Sequence, residues 1–317
     1  MANYEIAKRV NEALRARRVP HGNFMSALER GKDLMKLRDL GMAGSGFLLY
    51  GESGVGKTAL TQALVAYGMK HYGPDAVLRT QLSSGATTKA MLSGLLDAFG
   101  DCKPNSGTVY ERSRRLRDAI NARQCRLLEI DETNHLIPGG NVSRVLVDNI
   151  LNTLKVLDDT GVSFVLSGMP VILKLWTADE QIRSRFEVTY ELNALRYPGD
   201  RPAWRGIIAK FLEDIERNGM TVDCPDLADR LHAACNGLMR PLILILTTAV
   251  SIACERNSLK IEARDLDRAA HKQIDQLDGL VDAFDLDLEE VARHSKECHS
   301  SKVLAPTTRG LNDILRQ

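Results

Sequence analysis

A glycine-rich segment near residue 50 has the residue types and spacing of a phosphate-binding loop. It matches G-x-x-x-x-G-K-[ST] at every fixed position, with the residues Gly51, Glu52, Ser53, Gly54, Val55, Gly56, Lys57 and Thr58. Glycines let successive backbone N–H groups turn inward around a phosphate, and a following helix directs its positive end at the same anion. We expect Lys57 to reach the β- and γ-phosphates and the Thr58 hydroxyl to bind Mg²⁺. ATP and Mg²⁺ are therefore the expected cofactors.

Two adjacent carboxylates end an apolar segment further along the chain, Leu-Leu-Glu-Ile-Asp-Glu at residues 127–132. We expect Asp131 to hold Mg²⁺, usually through water, and Glu132 to act as the catalytic base. A strand that merely ends in two solvated acids is the alternative, but the phosphate loop requires a partner of this kind. Glu129 lies inside the apolar segment, where an unpaired charge is costly. The sequence alone offers it no partner.

Further polar residues could complete a hydrolytic site. Ser167 ends the next apolar segment and is a candidate for holding the attacking water. An arginine from a neighbouring subunit can neutralise charge on the γ-phosphate, and Arg183 and Arg185 are the candidates. They are two residues apart, so on a helix they point to different sides, and we favour Arg185. Arg240 begins a later helix after a glycine turn and is expected to couple bound phosphate to the position of that region. The alternatives are a Ser-Gly turn, ordinary surface arginines and a helix end.

Apolar runs and helical periodicity alternate over the first two thirds of the chain. Strands are predicted at 47–50, 76–81, 125–130 and 162–167, and helices at 58–72, 87–99, 109–123 and 142–159. This alternation predicts an α/β fold, a parallel sheet flanked by helices. A small all-α lid subdomain follows, with helices predicted at 202–218, 225–236, 240–256 and 262–275.

Charge and composition divide the chain into four predicted parts. They are a helical basic segment at 1–40, the α/β nucleotide-binding subdomain at 41–198, the helical lid at 199–275 and an acidic, partly disordered tail at 276–317. Residues 1–38 hold nine Lys or Arg and four Asp or Glu. Residues 275–290 hold seven acids and no Lys or Arg. We expect this acidic tail to be a linker or a weakly ordered segment.

The composition bounds the possible partners and the compartment. The chain has 317 residues, is 44% hydrophobic and carries a formal net charge of +1, which excludes a blanket cationic coat. Aromatic residues are only 5%, which argues against a base-stacking platform. No secretory signal is evident, the longest apolar run, 241–254, is too short for a bilayer, and the six cysteines form no CxxC pair. We expect a cytoplasmic protein without membrane contact.

The order of these motifs resembles the AAA+ ATPase family over about residues 40–275. Within that family the chain most resembles DNA-transposition regulators of the TniB, TnsC and MuB type. The segments that carry this narrower resemblance are 130–136, 151–157, 165–168, 181–187 and 237–240. The resemblance implies sequence-nonspecific binding of double-stranded DNA in the ATP state and a homo-oligomer, a ring or helical filament, around it. It also implies recruitment and stimulation of a transposase, a target-selector partner, and disassembly on ATP hydrolysis. Glu129 and the acidic tail depart from the family pattern.

In the resembling family, DNA contacts come from elements between the phosphate loop and the Asp-Glu strand. The candidates in that region are Lys89, Lys103, Thr108, Arg112, Arg114 and Arg115. Residues 103–123 hold six cations against two acids, and the apolar face of the predicted helix leaves its arginines facing outward. Contacts of this kind bring salt dependence and little sequence preference. The alternative is a charged helix face that only contacts solvent.

Three other functions fit parts of the pattern. An initiator-like DNA loader should carry an added winged-helix domain, and the short acidic tail does not suggest one. A protein-only assembly switch would oligomerise with ATP and ignore DNA. A small-molecule kinase with the same loop would need neither Glu132 as a base nor a helical lid.

Overall fold

The computed structural model describes residues 2–18, 22–274, 283–284 and 289–293. The chain forms two compact units, an α/β unit at Gly22–Asn193 and a helical unit made of Met1–His21 together with Ala194–Gln317. The basic segment 1–40 is thus shared between the two units. Most of the tail from 276 lies outside the described residues, so its predicted disorder and its partners stay predictions.

Five parallel strands form the central sheet of the α/β unit. They are β1 (Gly46–Tyr50), β2 (Val77–Gln81), β3 (Leu127–Asp131), β4 (Ser163–Gly168) and β5 (Val188–Glu191), in the order β2-β3-β4-β1-β5. Every residue of β3 and β4 is buried, which fits the near-continuous apolar runs of their sequences. Because β3, β4 and β1 are neighbours, the segments that follow them meet at one edge of the sheet.

Helices cover the sheet and build the second unit. Those of the α/β unit are α2 (Asn23–Lys36), α3 (Lys57–Tyr72), α4 (Thr88–Ala98), α5 (Val109–Arg123), α6 (Arg144–Leu157), α7 (Leu173–Ala178) and α8 (Glu180–Arg185). The core between the sheet and these helices is apolar and includes Leu92, Leu116, Leu128, Val162 and Leu166. The predicted fold class, a parallel sheet flanked by helices with a helical region after it, is confirmed.

The helical unit has its own core. Its helices are α1 (Ala2–Ala16), α9 (Arg201–Arg217), α10 (Leu227–Cys235), α11 (Met239–Glu255) and α12 (Ala263–Ile274). Val10 and Leu14 of α1 are fully buried in this core with Trp204 and Phe211. Two three-residue strands, β6 (Thr221–Asp223) and β7 (Lys260–Glu262), pair in parallel and add to the predicted helices.

In the described residues, no single helix is long and apolar enough to span a membrane. The bent pair α10 and α11 passes that test only when its two helices are taken together.

Candidate functional site

The glycine-rich loop joins β1 to α3 and has the backbone geometry that its sequence predicts. Gly51, Gly54 and Gly56 have φ values of +157°, +87° and +111°. At Gly51 a Cβ atom would lie 2.1 Å from the carbonyl oxygen of Leu192, so no side chain fits there. Helix α3 begins at Lys57 without a capping side chain. Its first-turn N–H groups are therefore not occupied by a side-chain cap, which suits an anion.

Lys57 lies against the inside of this loop. Its side chain is buried, and Nζ donates to the carbonyl oxygens of Gly51 at 2.7 Å and Glu52 at 2.9 Å. Val55 is buried, whereas Thr58 is exposed in the first turn of α3. A buried ammonium beside glycine N–H groups and a helix N-terminus fits a group with several anionic oxygens, such as the phosphates of a nucleotide.

Asp131 and Ser167, predicted from separate motifs, are in direct contact. The Ser167 hydroxyl lies 2.7 Å from Asp131 Oδ1, and the same oxygen accepts the Glu132 N–H at 2.9 Å. Asp131 Oδ2 accepts from Arg79 Nη2 at 2.5 Å. Both side chains are buried, with Asp131 2% and Ser167 0% exposed. The structure therefore places Ser167 as a donor that holds Asp131.

Glu132 follows Asp131 in a left-handed backbone conformation, with φ of +53°. A non-glycine residue in that region costs roughly 1 kcal/mol or more, and such residues concentrate at functional sites. The next turn is tied to the end of β4, because the Met169 N–H donates to Asn134 Oδ1 at 3.0 Å. A Cβ atom at Gly168 would lie 2.6 Å from that oxygen. The segments after β3 and β4 are thus fixed to each other.

Glu129, which the sequence left without a partner, is paired with a residue that sequence reasoning missed. Arg79 Nε donates to Glu129 Oε2 at 2.8 Å, and the Ser167 hydroxyl lies 3.0 Å from Glu129 Oε1. Burial, together with the charge of Asp131, raises the pKa of Glu129 to about 8. Arg79 was detectable in principle, because it and Glu129 each lie two residues before the end of their strands, as opposite charges in register.

This set of residues fits Mg²⁺ better than a metal held by protein alone. In the described residues, no group of three or more His, Cys, Asp and Glu side chains could hold a metal ion. Mg²⁺ is commonly bound by one or two protein oxygens together with substrate phosphates and waters. Thr58 and Asp131 can supply such oxygens.

The two candidate arginines of α8 differ in their surroundings. Arg185 donates to the carbonyl oxygen of Gly44 at 3.2 Å and to the carboxylate of Asp158, and burial lowers its pKa. Arg183 is exposed, with its guanidinium 5.9 Å from the ring centre of Trp176. Arg185, which we favoured from the sequence, is therefore engaged within its own subunit, and Arg183 is the more accessible of the two.

Arg240 lies in the helical unit, in the first turn of α11, and is exposed. The turn before it requires glycine, because Gly237 has φ of +70° and a Cβ atom there would lie 2.0 Å from the Leu195 carbonyl oxygen. The predicted contact between Arg240 and the nucleotide stays a prediction.

The six candidates for DNA contact are four exposed residues, Lys89, Lys103, Thr108 and Arg114, and two arginines that bond backbone carbonyls, Arg112 and Arg115. Lys89, Lys103 and Arg114 are exposed, and Lys103 and Arg114 line an open cleft of about 410 Å³ that Glu111 and Asp118 also line. Thr108 is also exposed but caps α5: its Oγ1 accepts the Glu111 N–H at 3.2 Å, and its own N–H donates to Glu111 Oε2 at 2.7 Å.

Arg112 and Arg115 clamp the segment before α5. The guanidinium of Arg112 donates to the carbonyl oxygens of Lys89, Asn105 and Gly107 and to the Ser93 hydroxyl. Arg115 bonds both carboxylate oxygens of Asp101 and the carbonyl oxygens of Lys103 and Ser106. The expectation that Arg112 faces outward is wrong, since it is only 4% exposed. A long charged side chain can be buried when its donors all find acceptors.

Comparisons with known proteins agree with this geometry. The model of the bacterial TniB protein family matches residues 9–193. No curated protein matches the chain. The Aeropyrum pernix ORC2 protein, solved in ADPNP and ADP complexes, is similar with a TM-score of 0.62 and 15% identity over 81% of this chain and 68% of its own.

Two further solved structures share the fold. The Aeropyrum pernix ORC1 protein in complex with DNA has a TM-score of 0.59 and 22% identity over 80% of this chain and 66% of its own. Domain III of the Thermotoga maritima replication initiation protein DnaA has a TM-score of 0.54 and 18% identity over 82% of this chain and 95% of its own. At these identities the likeness concerns the fold. With the phosphate loop, the Asp-Glu strand and the family match over more than half its length, this chain belongs to the bacterial TniB family and has the AAA+ ATPase fold.

Proposed function

We propose that this chain binds ATP with Mg²⁺ and hydrolyses it at the carboxyl edge of its sheet. The observation that carries the proposal is the meeting of the phosphate loop, Asp131 with Glu132, and Ser167 at the ends of the neighbouring strands β1, β3 and β4. Lys57 and the N–H groups of residues 51–58 bind the phosphates. Bound Mg²⁺ neutralises charge on the phosphate oxygens.

Each polar residue at this edge has a separate task. Thr58 and Asp131 hold Mg²⁺, and Ser167 keeps the Asp131 carboxylate in place. Glu132 accepts a proton from the attacking water. We propose that Arg240 of the helical unit also contacts the bound phosphates and so couples nucleotide state to the position of that unit.

Comparison of two lysines of α3 tests nucleotide binding. Lys57→Ala removes the ammonium inside the loop, and affinity for a fluorescent ATP analogue should fall at least about 100-fold, because a buried charge-assisted contact is lost. Lys70→Ala, in the exposed last turn of the same helix, is the matched control and should bind like the parent. Equal affinity of the two variants would reject the site.

A neighbouring subunit should complete the catalytic set. We propose a homo-oligomer, a ring or helical filament, in which α8 of one copy supplies an arginine to the γ-phosphate of the next. Accessibility favours Arg183, while Arg185 holds the end of α8 through Asp158 and Gly44.

The oligomer is proposed to bind double-stranded DNA without sequence preference. Lys89, Lys103 and Arg114 contact backbone phosphates, while Thr108, Arg112 and Arg115 hold the segments that carry them. A few contacts per subunit suffice, because subunits already bound to a duplex raise the effective concentration at which the next subunit meets that DNA. This reconciles DNA binding with a formal net charge of +1.

Membership of the TniB family supports a role in DNA transposition, which we propose for this activity. The ATP-bound oligomer on target DNA recruits and stimulates a transposase, responds to a target-selector protein, and disassembles when ATP is hydrolysed. Likeness to an ORC1 protein solved with DNA favours an initiator-like DNA loader as the second candidate. The two differ in their readout: the first predicts stimulated strand transfer by a cognate transposase, the second predicts loading of a replication protein.

A further inference from the structure

Two ionisable residues inside the sheet are not used by the proposed chemistry. Glu129 is fully buried in β3, an interior strand, and Arg79 lies beside it on the edge strand β2, in register. A buried Arg–Glu pair is weak evidence for stability, because an apolar pair of similar volume often packs as well or better. Packing therefore does not account for this pair, and its other contacts become the informative ones.

The other contacts of the pair converge on Asp131. Arg79 is forked: Nε bonds Glu129 Oε2 at 2.8 Å and Nη2 bonds Asp131 Oδ2 at 2.5 Å. Since a guanidinium is planar, the bond to Glu129 fixes the direction in which Nη2 reaches Asp131. The Ser167 hydroxyl lies near both side chains, 3.0 Å from Glu129 Oε1 and 2.7 Å from Asp131 Oδ1, and its single proton is donated to Asp131 over the shorter distance. Asp131 is thus held at both oxygens, and Glu129 contacts both side chains that hold it.

We propose that Arg79 and Glu129 are positioning residues that orient the Asp131 carboxylate for Mg²⁺. This rests on the proposed function, in which Asp131 holds the metal. A carboxylate with a fixed plane needs no reorientation when the ion binds, and loss of partners that orient a metal ligand typically weakens metal affinity about 10- to 100-fold. Neither residue touches the phosphate loop in the bonds described above. Their effect should therefore fall on the metal and not on the nucleotide itself.

The test separates metal affinity from nucleotide affinity. The double variant Arg79→Met with Glu129→Leu removes the pair and leaves the Asp131 carboxylate with the Ser167 hydroxyl and the Glu132 N–H as its remaining partners. A fluorescent ATP analogue is titrated in EDTA, and Mg²⁺ is then titrated into the nucleotide-loaded protein. We expect an EDTA affinity within about twofold of the parent and a Mg²⁺ half-saturation concentration at least about tenfold higher.

Glu129→Gln is the conservative control. Its amide oxygen can accept from Arg79 Nε and its amide nitrogen can donate to the Ser167 hydroxyl, so the anchor persists. We expect the Mg²⁺ half-saturation concentration of this variant to stay within about threefold of the parent's. This is well below the loss of about 10- to 100-fold expected when the partners that orient a metal ligand are removed.

Three results decide the proposal. A double variant with the parent's Mg²⁺ half-saturation overturns it, and so does an equal loss of affinity in EDTA and in Mg²⁺, which would indicate a merely structural role. If the double variant does not fold, Arg79→Lys, which keeps the charge but lacks the fork, is judged by the same two criteria. A parent protein that binds ATP without any gain from Mg²⁺ would instead reject the proposed function.

Discussion

The carboxyl edge of the sheet and the α4–α5 region both concentrate charged side chains, but they use them differently. At the sheet edge, Arg79 bonds both Glu129 and Asp131 inside the protein. Around α5 the charges are divided, since Arg112 and Arg115 bond backbone carbonyls whereas Lys103 and Arg114 face solvent. The same residue type, arginine, therefore serves as a positioning group, a clamp or an exposed cation according to its acceptors.

This difference gives a rule that can be tested residue by residue. An arginine whose donors are occupied inside the subunit should act through structure, and an exposed one should act on a partner. The predictions below apply the rule in order of decreasing expected effect.

The arginines of α8 provide the largest effect. Arg183→Ala should lower the ATPase kcat by about 10³-fold while nucleotide affinity stays near that of the parent, because an arginine supplied in trans acts on the transition state. Steady-state hydrolysis and ATP-analogue binding measure the two quantities. Arg185→Ala should instead lower the unfolding temperature, through loss of its bonds to Asp158 and Gly44. A large loss of kcat in Arg185→Ala, together with a lower unfolding temperature in Arg183→Ala, would contradict the rule at this helix.

Glu132→Gln tests the residue beside the buried cluster. Removing the proposed base should slow hydrolysis by about 10²-fold or more with ATP binding retained, and DNA-bound oligomers should therefore persist. Single-turnover hydrolysis and electron microscopy check both parts. Glu216→Gln, which changes an exposed carboxylate of α9, is the control and should turn over like the parent. Rapid turnover by Glu132→Gln would contradict the assignment.

The α4–α5 region should separate binding from stability. Changing Lys89, Lys103 and Arg114 together to Ala should weaken DNA binding and reduce the slope of log K against log salt by about 0.9 per lost phosphate contact. Arg112→Met should leave buried carbonyls without a donor and lower the unfolding temperature by roughly 5 °C. An unchanged salt slope in the triple variant would show that these cations only contact solvent.

The smallest expected effect concerns His232, a buried and neutral side chain of the helical unit. Burial lowers the pKa of His232 below its ordinary 6.5, against its bond to the Leu195 carbonyl oxygen at 2.8 Å. The unfolded chain then binds more protons than the folded one below about pH 6.5, so this residue destabilises the fold as pH falls. Unfolding temperatures of the parent and His232→Gln should converge as pH decreases from 7 to 5. A constant difference between the two unfolding temperatures over this pH range would show that His232 does not cause the loss of stability.

Strong local signals made much of the fold predictable. The strands β1 to β4 were anticipated because buried parallel strands have nearly continuous apolar sequences. Strand β5 was missed because its four residues are only half-buried and lack an apolar run. The amphipathic face of α1 was visible, but its packing in the helical unit depends on tertiary contacts that periodicity does not specify.

The candidate site shows the same limit. Motif spacing identified Lys57, Asp131, Glu132 and Ser167, because nucleotide chemistry needs those groups at strand ends. Helical spacing puts Arg112 on the same face as Leu116, yet its charge suggested solvent. Only its set of acceptors explains its burial, and only strand register reveals Arg79 as the partner of Glu129.

The most direct test of the account is fluorescence anisotropy on a labelled random-sequence duplex, with ATP, with ADP and without nucleotide, at several salt concentrations. The account predicts tight binding with ATP alone that weakens steeply as salt increases. Absence of binding in every nucleotide state would contradict it and favour an ATP-driven switch that acts on protein partners only.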